Sequence, residues 1–368
     1  MGPSILFDFR EMGIYTTYSL YRYDLLFIDR RGRTMESNTN TASSEKESYE
    51  VEKLSTLDDK VHSMINIAFG QFLTGFGIPV DEKEPWPGVT YIEKAKIDQS
   101  IALGVRDGSG DIIGVALSSV WGDIAVFGPL AVHPNHQRKG IARVLMDSSL
   151  KELKAEGIKK VGLFTFPGSE AHEDLYIKTF GFDKKNLNPV LGKTAEKKEL
   201  PSENSVVLYS QLGTEERDDV LQKAKVLTAK LDSHLSLSNE IKSTTGKFSE
   251  TLFVLNKENS ICALAVCHYG NGSEAGNKTL LIKFGMGDPD MPGTDKMLLA
   301  ACENLALEKG MTTVHAGIDA SVESERKILE ENGFDIECLA GVMMIKDLTG
   351  DGDTNFNSSK HPAFFDWR

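Results

Sequence analysis

The stretch Gly128-Pro129-Leu130-Ala131-Val132-His133-Pro134-Asn135-His136-Gln137-Arg138-Lys139-Gly140-Ile141-Ala142 decides how this chain is read. An apolar run enters a polar turn. Behind the turn Ala142, Leu145, Met146, Leu150 and Leu153 recur at helical spacing until Gly157 closes the pattern. The first N–H groups of a helix have no intrahelical partner and sit at the positive end of its dipole, so the turn is a ready anion site. Gly140 lets the backbone approach a bulky pyrophosphate with no Cβ in the way, and Ala142 keeps the next position small. Arg138 and Lys139 add positive charge, although both suit a solvated surface equally well. Pro129 has no N–H and interrupts a regular ladder, and Pro167 does the same near the end of the following strand. Neighbouring strands that both stop pairing splay apart, leaving backbone groups open to an extended, amide-bearing ligand.

Working outward, Tyr49 to Leu54 alternates as a first strand. Val61, Met64, Ile65, Ala68 and Phe72 predict a helix that Gly75, Gly77 and Pro79 end. A second helical piece is expected over Tyr91 to Ile97. Strands follow at Ile101 to Arg106, Ile112 to Val120 and Ile124 to Val132, the first two joined by a hairpin at Asp107-Gly108 and Gly110. Beyond the central helix come a strand over Val161 to Phe166, a helix over Glu170 to Lys178, and a strand opening at Gly181-Phe182. Residues 183–204 are charged, hold Pro189 and Pro201, and read as the end of one domain plus a linker. The order then repeats. A strand is expected over Ser205 to Leu212, a long helix from Glu215 to about Lys242, and hairpin strands over Thr251 to Leu255 and Ile261 to His268. A strand over Leu280 to Gly285, a helix over Thr294 to Glu308, a strand over Thr313 to Gly317 and a helix over Glu323 to Glu331 follow. A strand pair, Phe334 to Leu339 and Val342 to Ile345, completes the repeat. Gly181-Phe182 and Gly333-Phe334 stand at equivalent places, which argues for duplication of one α/β unit.

The expected fold is therefore α/β, of mixed α+β sheet type, in two tandem domains. A flexible N-terminal extension covers 1–48, the domains 49–200 and 201–348, and a C-terminal tail 349–368. With 368 residues, 40% hydrophobic and 26% charged, there is chain enough for two cores. The formal net charge of -13 argues against nucleic acid and is compatible with cationic substrates. No run is long and apolar enough to span a bilayer and no secretory signal is evident, so a cytoplasmic protein without a membrane partner is expected. Cys262, Cys267, Cys302 and Cys338 sit among apolar neighbours without a C-x-x-C spacing and read as reduced, buried thiols, with no metal site expected.

The run from Leu130 to Val132, with Pro134 and then Gln137-Arg138-Lys139-Gly140-Ile141-Ala142, resembles the signature motif of the GNAT superfamily of acyl-CoA N-acyltransferases. The resemblance covers residues 49–185. The chain as a whole is similar to tandem-domain GNAT proteins, in Thr165-Phe166-Pro167 with Ser169, His172, Leu175 and Tyr176, and in the closing Asp366-Trp367-Arg368. It departs in one place: Ile177-Lys178-Thr179-Phe180 puts one residue more than usual between Tyr176 and Gly181. The resemblance implies acetyl-CoA as co-substrate, held by Leu130, Ala131, Val132, Gln137, Arg138, Lys139, Gly140, Ile141 and Ala142. It implies transfer to a primary amine of a small molecule or peptide by direct attack on the thioester.

Such a transfer needs a neutral amine, donors for the oxyanion and an acid for the leaving thiolate. The resemblance places the backbone of Leu130, Ala131 and Val132 at the oxyanion and Tyr176 beside the sulfur as acid. The base stays open. Ile124 to Val132 holds no carboxylate, Asp123 lies at the start of that strand, and His172, one helical turn before Tyr176, is a candidate beside a water-mediated route. His133 and His136 flank the turn as surface residues. In the second unit the equivalent turn reads Gly287-Asp288-Pro289-Asp290-Met291-Pro292-Gly293-Thr294, whose carboxylates repel a pyrophosphate, so that unit is expected to be a degenerate copy without CoA. A catalytically silent acyl-CoA-binding or interaction protein is the alternative reading of the whole chain.

Overall fold

A computed structural model of the chain describes residues 49–75, 91, 100–356 and 361–367. The N-terminal extension, and the expected second helix apart from Tyr91, lie outside the described residues.

The first half starts as a meander. β1 (Val51–Lys53), β2 (Ile101–Arg106), β3 (Ile112–Trp121) and β4 (Ile124–Val132) pair antiparallel in sequence order, with α1 (Asp59–Gly75) between β1 and β2. α2 (Ile141–Ala155) crosses to β5 (Lys160–Thr165), which runs parallel to β4. α3 (Glu170–Glu173) continues into a π-helical turn over Asp174–Thr179, and β6 (Asp183–Thr194) follows. The turn accommodates the extra residue after Tyr176, since a π turn takes up a single insertion inside a helix.

The second half repeats this order. β7 (Ser205–Leu208), α4 (Thr214–Ala229), α5 (Ser238–Lys242), β8 (Ser249–Leu255), β9 (Ile261–Gly270) and β10 (Gly276–Gly287) lead to α6 (Thr294–Glu308). β11 (Thr313–Gly317), α7 (Glu323–Glu331) and β12 (Ile336–Asp347) complete the repeat, and β13 (Phe364–Phe365) comes last.

Among the described residues all strands join one sheet, in the order β1-β2-β3-β4-β5-β12-β6-β11-β10-β9-β8-β7, with β13 beside β10. The order is unchanged when β1–β6 are exchanged for β7–β12, so a pseudo-two-fold passes between the antiparallel strands β12 and β6. Each half thereby lends its last strand to the other. β12 lies between β5 and β6, and β6 lies between β12 and β11. Residues 183–194 are thus a strand at the centre of the sheet rather than a linker. Pro189 fits there beside Ala340, close to a register shift at Glu337/Leu339. The expected strand pair over 334–345 is the single strand β12. The long helix expected from Glu215 to about Lys242 is two helices, α4 and α5, separated where Leu235 bridges to Gly122 of the first half.

Side chains alternate across this sheet and divide the core by face. On one face α2 and the π turn pack Leu145, Met146, Leu153 and Tyr176 on Ala125, Val161, Leu163 and Met344. On the opposite face α1 covers Val115 and Ala131, and α4 and α5 reach across to Trp121, Val126, Met343 and Ile345. α6 and α7 cover the second half with Leu298, Cys302 and Leu329 on Ala265, Ile282 and Ala316. The exchange is secured by polar contacts as well. Lys193 of β6 pairs with the buried Glu303 of α6 at 3.0 Å, and the Trp121 indole donates to Glu240 of α5 at 2.9 Å. Cys262, Cys267 and Cys302 are buried free thiols. No helix among the described residues is long and apolar enough to cross a membrane.

Ala363 to Trp367, part of the expected tail, belong to the core. Phe364, Phe365 and Trp367 are buried, and β13 pairs antiparallel with Phe284 and Gly285 of β10.

Candidate functional site

β4 and β5 pair only from Ile124/Lys160 to Val126/Gly162. Past that point β4 stays bound to β3 and β5 stays bound to β12, so the two strands part and leave a slot between them. The parting follows an irregularity in β4. Phe127 pairs with Ser118 and Leu130 with Ala116, which leaves Gly128 and Pro129 bulged out of the ladder.

The direction of the free groups follows from the register. His133 N–H donates to Ile113 O at 2.8 Å, so that pair is a hydrogen-bonded one, and alternation makes Ala131/Val115 another. Ala131 therefore directs its N–H to β3. Leu130 and Val132 direct theirs toward the slot. The Val132 carbonyl, on that same side, accepts from Gln137 Nε2 at 3.1 Å, which folds the turn back over the slot's mouth.

The turn itself is a short 3-10 helix, Pro134–His136, held by His136 N–H to His133 O at 2.8 Å and by Asn135 N–H to the His133 ring at 3.3 Å. Gly140 caps α2 with φ of 93°, a conformation that suits glycine. A Cβ there would meet nothing within 4 Å, so the space in front of Gly140 is open. No side chain caps α2 and its first turn holds no acidic residue, so no side chain of the helix start occupies its first N–H groups. Arg138 and Lys139 are exposed beside them.

Tyr176 is buried, edge-on to Phe182 and stacked on His172 with ring centroids 6.5 Å apart. Burial pushes its phenol well above the usual tyrosine range, so it holds its proton at neutral pH. His172 is fixed by Ser169 Oγ, 2.8 Å from Nδ1, and burial lowers its pKa, so its ring is neutral at pH 7. Asp123 stands at the far end of β4 from the turn, with its carboxylate bonded to Lys159 at 2.9 Å and His234 at 3.0 Å. Burial works to raise its pKa, but those two bonds outweigh it and hold the group below the ordinary carboxylate range. The structure thus turns Leu130 and Val132 toward one slot, bonds Gln137 to Val132, leaves the space in front of Gly140 open at the start of α2 and places Tyr176 with His172, while Asp123 is engaged elsewhere.

The matching place in the second half is filled from within. β10 pairs with β11 only from Thr279/Thr313 to Ile282/Ala316, and β13 then lies along β10 where the first half keeps its slot. Asp366 N–H donates to Lys283 O at 3.0 Å, continuing the pairing. Gly293 caps α6 in the same left-handed conformation as Gly140, but Asp295 in the first turn bonds Gly287 N–H at 2.8 Å. Lys230 pairs with both Asp288, at 2.6 Å, and Asp290, at 2.9 Å, so one lysine of the chain bridges the two carboxylates of this turn and offsets half of their charge. Sequence alone carries no signal for this, because the filling segment lies far along the chain.

Residues 62–182 match the family model described as the acetyltransferase (GNAT) family. No curated protein sequence matches the chain. Solved structures share its fold over most of its length. A tandem GNAT protein from the clavulanic acid biosynthesis pathway, solved without AcCoA, is 13% identical with a TM-score of 0.51, covering 83% of this chain and all of its own. An N-acetyltransferase from Sphaerobacter thermophilus is 12% identical with a TM-score of 0.52, covering 81% of this chain and 95% of that one. A Pyrococcus horikoshii protein described as an acetyltransferase is 11% identical with a TM-score of 0.59, covering 90% and 99%.

Proposed function

Given a GNAT-family acetyltransferase domain over residues 62–182, we propose that this chain transfers an acetyl group from acetyl-CoA to a primary amine by direct attack on the thioester. The observation that carries the reading is the slot between β4 and β5, opening beside the uncapped start of α2 at Gly140. The pyrophosphate binds the N–H groups following Gly140, with Arg138 and Lys139 adding charge. The pantetheine arm lies in the slot against β4. The amine nitrogen attacks the thioester carbon, and the oxyanion that forms is met by N–H groups of β4, of which Leu130 and Val132 face the slot. As the C–S bond breaks, the leaving thiolate takes the Tyr176 proton. His172, neutral and fixed by Ser169, is able to take a proton from the amine, directly or through water. The second half, with β13 in its slot, has a structural role in this reading and takes no CoA.

Calorimetric titration with acetyl-CoA tests the proposal, with Gly140→Asp as control. The native protein is expected to bind in the micromolar range. The variant, which puts a carboxylate where the pyrophosphate belongs, is expected to lose about 100-fold or more, equivalent to ~3 kcal/mol. Thermal unfolding of the variant checks that the loss is not one of folding. Equal affinity in a folded variant refutes the site, and no binding by the native protein refutes the acyltransferase reading.

A further inference from the structure

The chain's last strand does two things at once. Its backbone fills the second half's slot along Phe284 and Gly285, and its end carries Trp367 across to the first half. There the Trp367 ring lies against Gly162, so closely that a Cβ on that glycine would fall 2.7 Å from Cε3 and from Cη2. Gly162 is the last residue at which β5 pairs with β4, so the ring stands at the point where the slot closes. Phe164, the next residue on that face of β5 and already past the parting, tilts against the ring with centroids 5.5 Å apart.

Tyr176 packs with Val161 and Leu163, whereas Trp367 packs with Trp121, Val126 and Phe164. Alternation along β5 therefore puts Tyr176 and Trp367 on opposite faces of the sheet at the slot's closed end. The part of the indole turned to Gly162 is its benzo edge, an apolar surface. The ring is 1% exposed and wedged by Trp121, Phe356 and Phe365, so it cannot swing aside without unpacking them.

We propose that Trp367, delivered by the strand that plugs the second half, forms the end wall of the acyl chamber in the first half and restricts the enzyme to short acyl groups. The inference rests on the acyltransferase reading and deepens it, making Trp367 a specificity-determining residue. The ring, buried behind Gly162, offers no open surface to the slot itself but backs its closed end, so the slot cannot deepen there to take a longer chain, because overpacking a well-filled site is costly.

The test needs no acceptor. Dissociation constants for acetyl-, butyryl- and hexanoyl-CoA are measured by calorimetry on the full chain, on Trp367→Leu and on Trp367→Phe. The native protein is expected to bind hexanoyl-CoA about tenfold or more weakly than acetyl-CoA, and Trp367→Leu to reduce that ratio to about threefold or less, since the wall is shortened. Trp367→Phe, which keeps an aromatic wedge, is expected to fall between and serves if the leucine variant does not fold. A native protein that binds hexanoyl-CoA as tightly as acetyl-CoA overturns the assignment, with or without variants. So does a folded variant with the native ratio. Failure of the native protein to bind any acyl-CoA instead overturns the acyltransferase reading, which separates the two outcomes.

Discussion

Replacing Gly162 by alanine tests whether Trp367 is held as firmly as the packing implies. The added methyl falls 2.7 Å from Cε3 and Cη2, 0.7 Å inside the 3.4 Å lower limit of ordinary contact, and nearer still to Cζ3. The backbone at 162 cannot retreat in the sheet, because it is paired with Val126 on one side and Ile345 on the other. Nor can the ring yield freely, enclosed as it is by Trp121, Phe164, Phe356 and Phe365. Forced overpacking of this kind costs ~1–3 kcal/mol, and with both partners pinned the upper end is expected. Urea unfolding followed by circular dichroism measures it. A double-mutant cycle isolates the contact. Trp367→Ala alone is expected to cost ~3–5 kcal/mol, and Gly162→Ala in that background under ~0.5 kcal/mol, because the new methyl then has room. A cost below ~0.5 kcal/mol for Gly162→Ala in the native background, or the same cost in both backgrounds, refutes the reasoning.

Two further outcomes are expected. Tyr176→Phe lowers turnover, read as CoA thiol release against a panel of amines, by on the order of 100-fold while leaving the acetyl-CoA dissociation constant within about twofold. Native turnover in that variant returns Tyr176 to packing. The second concerns Glu325, fully buried, whose carboxyl accepts Asp319 N–H at 2.6 Å and Ala363 N–H at 3.1 Å and whose pKa burial pushes up to about 9. Its ordinary value is 4.5, so between the two the folded protein holds one proton more than the unfolded chain. Stability from this group is therefore complete below the lower value and lost as pH rises through the upper one, with a slope of ~1.4 kcal/mol per pH unit at most. Urea midpoints across that window are expected to fall with pH in the native protein and to flatten in Glu325→Gln, and an unchanged slope in the variant removes Glu325 as the cause.

The first half was legible because its signals are local. Asp107-Gly108 and Gly110 mark a hairpin, Gly140 and Gly157 bracket a helix, and Pro129 announces the parting of β4 from β5. The repeat was legible from Gly181-Phe182 and Gly333-Phe334. What local periodicity could not carry was partnership over distance. Nothing near Asp183 or Lys193 says that this strand enters the other half, and its charges and Pro189 argue for a linker until β11 and β12 are seen on either side. The closing Phe364-Phe365-Asp366-Trp367 looked like a tail for the same reason. The insertion after Tyr176 could be counted from sequence, but its absorption in a π turn depends on Phe182 and His172 holding the ring from both sides.

The exchange of β6 and β12 also bears on how the protein is made. A ribosome delivers the first half's helices and meander early, yet β5 lacks its neighbour until Ile336–Asp347 has emerged, and Gly162 lacks its cover until Trp367 does. The nascent first half must wait with an unpaired strand edge, the condition in which chains are most open to wrong pairing. Closing contacts across most of the chain also makes assembly slow, because long loops must be closed before they are rewarded. Assembly therefore closes in a late event, in which Ile336–Asp347 and the strand of Phe364 and Phe365 complete both halves together.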